Sequence, residues 1–309
     1  MEALVRRTAL GLALILCLAM VGSTLGRFHW AGDLLSLFAD YYLWLGLLPL
    51  LVLLLLREWQ WAGLVAIALT LHGWQLLDVA RVESLAAPDR PDAIRLMMYN
   101  VYYQNQDLDA IISEVEKYDP DILFLMEYSE VIAARIGSAF ANYPYQLVQP
   151  SRMTMGLALY SRLPLGETTV HRSRETRIPV YDVQLEYDGQ LITFVAGHPW
   201  PPLPQWAQLN RDQMLDITAV AAAAEHPLIV AGDFNASQWS FLLQDLAERA
   251  NVRQVRAPLD FSKTFFPNPV TGLPLDHFLL SPEWAVVALQ QGQRGGSDHI
   301  PLVIDFYLQ

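Results

Sequence analysis

The hydrophobic and polar positions divide the chain into two unlike parts. Up to residue 80 the apolar residues run together, in stretches from Thr8 to Leu25, Leu34 to Leu56 and Trp61 to Val79, of 18, 23 and 19 residues. At about 1.5 Å of rise per residue, each is long enough as a helix to cross a hydrocarbon core of roughly 30 Å, the first only just. The middle stretch is the strongest, with nothing charged from Leu47 to Leu56. Its connections, Arg27 to Asp33 and Arg57 to Gln60, hold only turns. Residues 1–80 are therefore expected to form an anchor of three transmembrane helices, at about 8–25, 34–56 and 61–79.

A cleaved signal peptide also begins with a basic pair and an apolar run. Here no small-x-small site follows the first run, and further spans come directly after it. Arg6 and Arg7 favour a cytoplasmic N-terminus; three crossings then place everything after Arg81 on the extracytoplasmic, periplasmic side of a multi-pass protein. Asp40 and His72 fall inside spans, where they fit tolerance near an interface or against a neighbouring helix better than a transport path. Trp30, Trp59 and Trp61 fit interfacial anchors.

A segment with two prolines and several charges, Arg81 to Asp92, reads as a linker, and beyond it the pattern shortens. Ala93 to Val101 reads as a buried strand with Asn100 near its end. Asp107 then caps a helix carrying Leu108, Ile111, Ile112 and Val115 on one face. Asp119-Pro120 stops that helix, and Asp121 to Met126 is a second strand ending at Glu127. Further strands are expected at Gly156–Ser161, Pro179–Tyr187, Leu191–Gly197, Pro227–Ala231, Leu275–Leu280, Trp284–Leu289 and Ile300–Leu308, and helices at Gln205–Ala224 and Trp239–Ala250. Many strands, fewer helices and tight turns such as Asp188-Gly189 predict an α/β domain over residues 93–309. It should be built from two packed, mixed and largely antiparallel sheets flanked by helices.

Charge separates the parts further. The 222 residues from Pro88 onward hold 26 acidic and 15 basic side chains, a net of −11, which repels a polyanion unless a cleft or a bound cation reverses the field. The single cysteine, Cys17, lies in an apolar run and reports nothing about redox compartment.

The polar residues of interest share a placement. Asn100, Glu127, His198, Asp233, Asn235, Asp276 and His299 each follow or close an apolar strand, and strand ends of a sandwich can converge on one rim. Any one alone reads as a turn residue or a cap. The run Ser297-Asp298-His299 is not a serine triad, because neighbours on an extended segment point to opposite faces. Carboxylates with an amide oxygen suit a hard cation such as Mg²⁺. Zinc is disfavoured by the lack of an H-x-x-x-H pair or a cysteine cluster, and no Walker loop is present. A divalent ion, a carboxylate that activates water and a histidine that stabilises charge together make a phosphoesterase.

From Ile94 to Phe306 the sequence resembles the endonuclease/exonuclease/phosphatase superfamily, the DNase I-like fold, with the motifs in family order. M-M-Y-N-V is similar to its first strand with the metal-site asparagine, Asn100, and D-P-D-I-L-F-L-M-E to its second, with Glu127 as the metal-binding acid. A-G-H-P-W matches the strand ending in a phosphate-contacting histidine, His198. A-G-D-F-N matches G-D-x-N, in which Asp233 positions or deprotonates the nucleophile and Asn235 binds phosphate or orients that carboxylate. L-D-H-F supplies Asp276, which holds the last histidine, and G-S-D-H-I-P-L supplies Asp298 near the metal and His299 at the scissile phosphate. Met126 departs from the glutamine that many relatives carry before the metal glutamate. With Glu127 retained, the difference lies beside the ligand set. The resemblance implies a four-layer sandwich, helices outside two sheets, and Mg²⁺- or Mn²⁺-dependent hydrolysis.

The expected function is a membrane-anchored, Mg²⁺-dependent phosphoesterase acting on a mono- or diester at or near the bilayer, such as a lipid head group. Acting on extracytoplasmic nucleic acid is the enzymatic alternative, disfavoured by net charge. A binding module without turnover would fit a chain lacking Glu127, Asp233 or His299, and all three are present. Arg211 and Gln213 are candidates for tying the rim together, with a surface arginine the plainer reading. Trp200 and Trp206, in H-P-W-P-P-L-P-Q-W, suit a stiff apolar lip or a loop packed on its own domain.

Overall fold

A computed structural model describes residues 1–79, 90, 92–172, 178–224, 227–256, 261–268 and 270–309. Most of the expected linker lies outside them. Four helices open the chain: α1 (Glu2–Ser23), α2 (Trp30–Ser36), α3 (Ala39–Leu55) and α4 (Trp59–Val79). The helices α1, α3 and α4 pack through Ala9, Ala13, Leu16, Met20, Tyr42, Leu53, Ala62, Val65 and Leu69, with Leu35 of α2 against them. Their outer faces stay apolar. Of 32 exposed large hydrophobic side chains among the described residues, 25 lie between Met1 and Leu77.

The expectation of three spans is corrected. Among the described residues one helix, α1, is long and apolar enough to cross a membrane, or two segments if α2 and α3 count as one bent span. The apolar run from Leu34 to Leu56 does not form one helix. It breaks at Leu37-Phe38 with a 68° bend, because Asp33 and Ser36 turn α2 toward polar partners in the other part of the chain. Gln60, His72 and Gln75 dilute α4. His72 meets the Ala39 carbonyl at 2.8 Å, so it is held by a neighbouring helix. The three-crossing count that placed the rest of the chain outside the cytoplasm goes with the third span.

The remaining elements are β1 (Ile94–Asn100), α5 (Leu108–Tyr118), β2 (Ile122–Met126), α6 (Glu130–Ile136), β3 (Tyr145–Gln149), β4 (Leu157–Ser161), β5 (Leu165–Arg172), β6 (Pro179–Tyr187), β7 (Gln190–Gly197), α7 (Ala207–Ala222), β8 (Leu228–Asp233), α8 (Phe241–Arg249), β9 (Arg253–Gln254), β10 (Asp276–Leu280), β11 (Trp284–Gln291) and β12 (Leu302–Leu308). Asp107 caps α5 by accepting from the Ala110 N–H, and Asp119 closes it in the left-handed region. The expected strands and helices are present within a few residues at each end. Four of these elements were not expected: α6, the edge strand β3, the two-residue β9, and β5, whose exposed polar residues hide its period.

Two six-stranded sheets form, in the orders β11-β12-β1-β2-β4-β3 and β5-β6-β7-β8-β10-β9. Among the described strands only β1–β2 and β7–β8 pair in parallel, joined by α5 and α7 respectively; the other pairs are antiparallel. Strands buried on both faces read as continuous apolar runs, and β1, β2, β4 and β8 do so. One face of each sheet meets the other through Met98, Phe124, Phe194, Phe278, Trp284 and Phe306. The opposite face of the first sheet is covered by α5 and α6, and that of the second by α7 and α8. The result is the expected four-layer α/β sandwich.

Candidate active site

Strand direction gathers the polar ends. In the first sheet Asn100 lies opposite Met126 in the parallel pair, so Asn100 and Glu127 leave the same edge. The second sheet repeats this: Ala196 lies opposite Ala231, and His198 and Asp233 follow at one edge. Antiparallel β10 begins where β8 ends, with Asp276 opposite Asp233. His299 precedes β12, which enters beside β1 with Leu302 opposite Met98. Four chain exits and two entries therefore meet on one rim.

There the side chains form a single connected group. Asn100 Nδ2 donates to Glu127 Oε1 at 3.2 Å and to Asp233 Oδ2 at 3.0 Å, and lies 3.4 Å from His299 Nε2. Its oxygen accepts from the Tyr102 N–H. His299 Nδ1 is 2.8 Å from Asp276 Oδ2, and its Nε2 is 3.5 Å from Asp233 Oδ2. His198 Nε2 lies 3.7 Å from the same Asp233 oxygen and 3.4 Å from Asn235 Nδ2. Asn235 also donates to the Pro199 carbonyl, and its backbone N–H reaches Asp233 Oδ1. Asp298 acts electrostatically on His198 and His299, and its buried Oδ1 has no hydrogen-bond partner among the described residues.

The local backbone is strained where these groups turn inward. Glu127 and Asn235 have φ of 54° and 50°. Asparagine tolerates this region; for glutamate it costs on the order of 1 kcal/mol, offset here by the Tyr103 N–H donated to Glu127 Oε2 at 3.0 Å.

Several supports escape a reading of the sequence. Ser297 donates to the Asn100 carbonyl at 2.7 Å and accepts from the His299 N–H at 3.0 Å, joining the first and last site strands. Thr264 Oγ1 accepts from the N–H groups of Leu275 and Asp276, and the Phe265 ring sits 4.9 Å from that of His299. Met126 Sδ accepts from the Asp233 N–H at 3.0 Å. The serine had a signal in its motif; the threonine, in a loop of no special composition, had none. Gln213 is buried and accepts from the Trp200 N–H, so it does tie the rim. Arg211 instead donates to the carbonyls of Gly26 and Arg27, away from the site residues. Trp200 and Trp206 stack on each other at 4.9 Å, both half-buried.

Burial and charge set the protonation of the group. Burial pushes the Glu127 and Asp233 carboxyls up, opposed by His198 at Glu127 and by His299 at Asp233. Burial acts to lower His299, but Asp276 and Asp233 outweigh it and carry the imidazole up to about 10. Burial lowers His198. One histidine is thus an imidazolium and the other neutral at pH 7, so the rim offers both a cationic donor and a neutral base.

The residues fit a divalent cation. Glu127 is half-buried and, among the described residues, bonded to no basic side chain; Asp298 Oδ1 is buried with no donor among them, and both carboxylates act electrostatically on Tyr102. Two carboxylates and the Asn100 amide are the donor set of a hard ion that keeps several waters. Ligand atoms of Asp233, Asp276 and His299 also lie within 4.8 Å of one another. The 2.8 Å Asp276–His299 bond assigns that trio to a carboxylate–imidazolium relay, since a protonated imidazole has no lone pair for a metal.

Fold and site together define a phosphoester hydrolase that uses a divalent metal. Residues 97–299 match the sequence profile of the Endonuclease/Exonuclease/phosphatase family, about two-thirds of the chain, and the chain belongs to that family. It is an enzyme of the family's class, a metal-dependent hydrolase of phosphoester bonds. Among solved structures it is similar to a humanized D. rerio TDP2, at 16% identity and a TM-score of 0.59, over 70% of this chain and 99% of that one. The catalytic domain of human Nocturnin aligns at 19% identity and 0.57, over 72% and 97%. An AP endonuclease from Archaeoglobus fulgidus aligns at 15% and 0.58, over 70% and 99%. Likeness at this identity shows the fold alone. Among curated proteins no sequence match was found.

Proposed function

We propose that the protein is a membrane-associated, Mg²⁺-dependent phosphoesterase that hydrolyses a mono- or diester at or near the bilayer, with Mn²⁺ able to replace Mg²⁺. The observation that carries the reaction is the connected group from Glu127 through Asn100, Asp233 and His299 to Asp276. Glu127 would hold the metal with Asn100 and Asp298, and the ion when bound supplies charge neutralisation at the phosphoryl oxygens. Asp233, with its raised carboxyl, orients and deprotonates the attacking water. His299, kept cationic by Asp276, stabilises the negative charge that builds at phosphorus. Neutral His198 contacts a nonbridging oxygen or protonates the leaving group, and Asn235 keeps His198 and Asp233 in register.

The location rests on the apolar outer faces of α1, α3 and α4, whose exposed side chains include Leu14, Leu47, Leu51, Leu55, Leu64 and Leu71. An exposed apolar surface of that extent is covered by lipid far more readily than by water. A lipid head group is therefore the favoured substrate class. A nuclease is the second reading, favoured by the likeness to D. rerio TDP2 complexed with single-strand DNA product, at a TM-score of 0.60, and opposed by the net charge of −12.

The test uses the full chain in detergent with Mg²⁺ and bis(p-nitrophenyl) phosphate, then lipid phosphoesters in mixed micelles and single-stranded DNA. Glu127→Ala and His299→Ala should each lose at least about a hundredfold in rate, the usual size for groups that act on transition-state charge. Undiminished Mg²⁺-dependent turnover in either variant rejects the mechanism, and faster turnover of DNA than of lipid rejects the membrane substrate.

A further inference from the structure

We infer that the N-terminal helices are part of the catalytic architecture, and that Asp33, Ser36 and Asp40 are positioning residues for the two loops that support the site. The inference rests on the phosphoesterase reading above for its activity readout and on geometry for the rest.

The first loop is Ala236 to Ser240, directly after Asn235. Ser237 Oγ donates to the Ser36 carbonyl at 2.8 Å and lies 3.2 Å from Ser36 Oγ. Ser240 Oγ donates to Asp33 Oδ1 at 2.8 Å, and the Trp239 indole N–H faces the Leu76 carbonyl at 3.4 Å. Ser237, Trp239 and Ser240 are all buried by this contact, and Trp239 packs with Ala39 and Leu76. Two residues of chain span at most roughly 7 Å, so a shift of Ser237 reaches Asn235 with little slack between.

The second loop begins at Lys263. Its ammonium meets Asp40 Oδ2 at 2.5 Å and lies 4.9 Å from the centre of the Tyr41 ring. Tyr41 Oη donates to the Gly272 carbonyl at 2.8 Å and accepts from the Gly272 N–H at 3.0 Å. The residues after Lys263 are those that brace the site: Thr264 beneath Asp276, Phe265 against the His299 ring, and Phe266, whose N–H reaches the Asp298 carbonyl at 2.7 Å. Both loops thus end on the α2–α3 corner.

The corner is built for close contact. A Cβ on Gly32 would stand 2.2 Å from the Gly26 nitrogen, and one on Gly26 would stand 2.6 Å from Asp33 Oδ1 and 2.9 Å from Phe241 Cβ. Arg211 closes the far side on the carbonyls of Gly26 and Arg27, 3.7 Å from Asp33 Oδ2. A flexible tether needs none of these buried polar pairs. A fixed seat does, because a buried hydrogen-bonded carboxylate holds its partners in one arrangement or loses its own solvation.

The test compares full-length wild type with Asp33→Ala, Asp40→Asn, Lys263→Met and Lys263→Arg in one detergent, by turnover of bis(p-nitrophenyl) phosphate and by hydrogen–deuterium exchange. Misplacement of about 1 Å costs up to roughly a hundredfold, so kcat should fall at least about fivefold in the first three, with KM within about twofold. Lys263→Arg should retain most of the wild-type kcat. Amides of 236–241 and 263–266 should exchange about tenfold faster in the same three variants, the loss of about one buried hydrogen bond. Where Asp33→Ala yields little folded protein, Asp40→Asn, which keeps side-chain volume, decides. Wild-type kcat and unchanged exchange overturn the inference, as does a fall in kcat that only tracks the folded fraction. An inactive wild type rejects the phosphoesterase reading, and the exchange comparison then still decides whether the corner positions the loops.

Discussion

The sulfur of Met126 accepts the backbone N–H of Asp233 at 3.0 Å, linking the end of β2 in one sheet to the end of β8 in the other. Both groups are fully buried, so no water replaces the bond. Met126→Leu keeps volume and removes the acceptor, leaving a buried N–H unpaired at a cost of about 1–3 kcal/mol. Met126→Gln returns an acceptor to the same position. Urea unfolding and kcat should both fall for leucine and recover for glutamine; equal values for the two variants would show that the sulfur contributes only packing.

Asp276 governs the charge of His299. The folded-state pKa of His299 stands above its ordinary value, so its pairing contributes stability that is fully present below about pH 6.5 and is lost as pH rises through about 10. Asp276→Asn removes the largest raising influence and should move that loss toward neutral pH. Denaturation of the metal-free protein at intervals between about pH 6 and about pH 10 checks this. Parallel stability curves for wild type and variant would refute it.

Glu127 carries the opposite liability. Burial raises its carboxyl, so the apoprotein loses stability as pH climbs above the ordinary glutamate value, and a bound cation relieves the cost. Wild type should therefore melt higher in Mg²⁺, by an amount that grows with concentration as binding linkage requires. Glu127→Gln should be at least as stable without metal at neutral pH and should lose the Mg²⁺ increment. A full Mg²⁺ shift in that variant places the ion elsewhere.

Ser297 joins two strands through one hydroxyl. Ser297→Ala strands the His299 N–H and removes a donor from the Asn100 carbonyl, which should cost about 1–3 kcal/mol of stability. Because the His299 ring is braced separately by Asp276 and Phe265, the loss in kcat should be smaller than that of Asp276→Asn. Steady-state kinetics of the two variants side by side test the order.

The sandwich was legible because its inner strands are buried on both faces and its breakers stand between them: Asp119 and Pro120 after α5, Asp188-Gly189 between β6 and β7. The edge strands β3 and β5 were not, since they bury little and keep no clear period, whereas the edge strand β11 was. The site was legible as polar residues at strand ends, with a family order to arrange them. Apolar runs predicted the helical part but overcounted its spans, because hydropathy measures lipid compatibility and takes no account of a polar partner in the folded chain.

Residue order alone therefore determined what is local: the inner strands, the Asp107 cap, and the candidate residues at strand ends, Asn100, Glu127, His198, Asp233, Asn235, Asp276 and His299. Only the tertiary structure decided what lies between distant segments. Ser36 and Ser237 stand 201 positions apart and Asp40 and Lys263 stand 223 apart, yet their side chains meet. No periodicity records such a pair, because each residue is ordinary in its own neighbourhood and the bond exists only once two surfaces pack and exclude water between them.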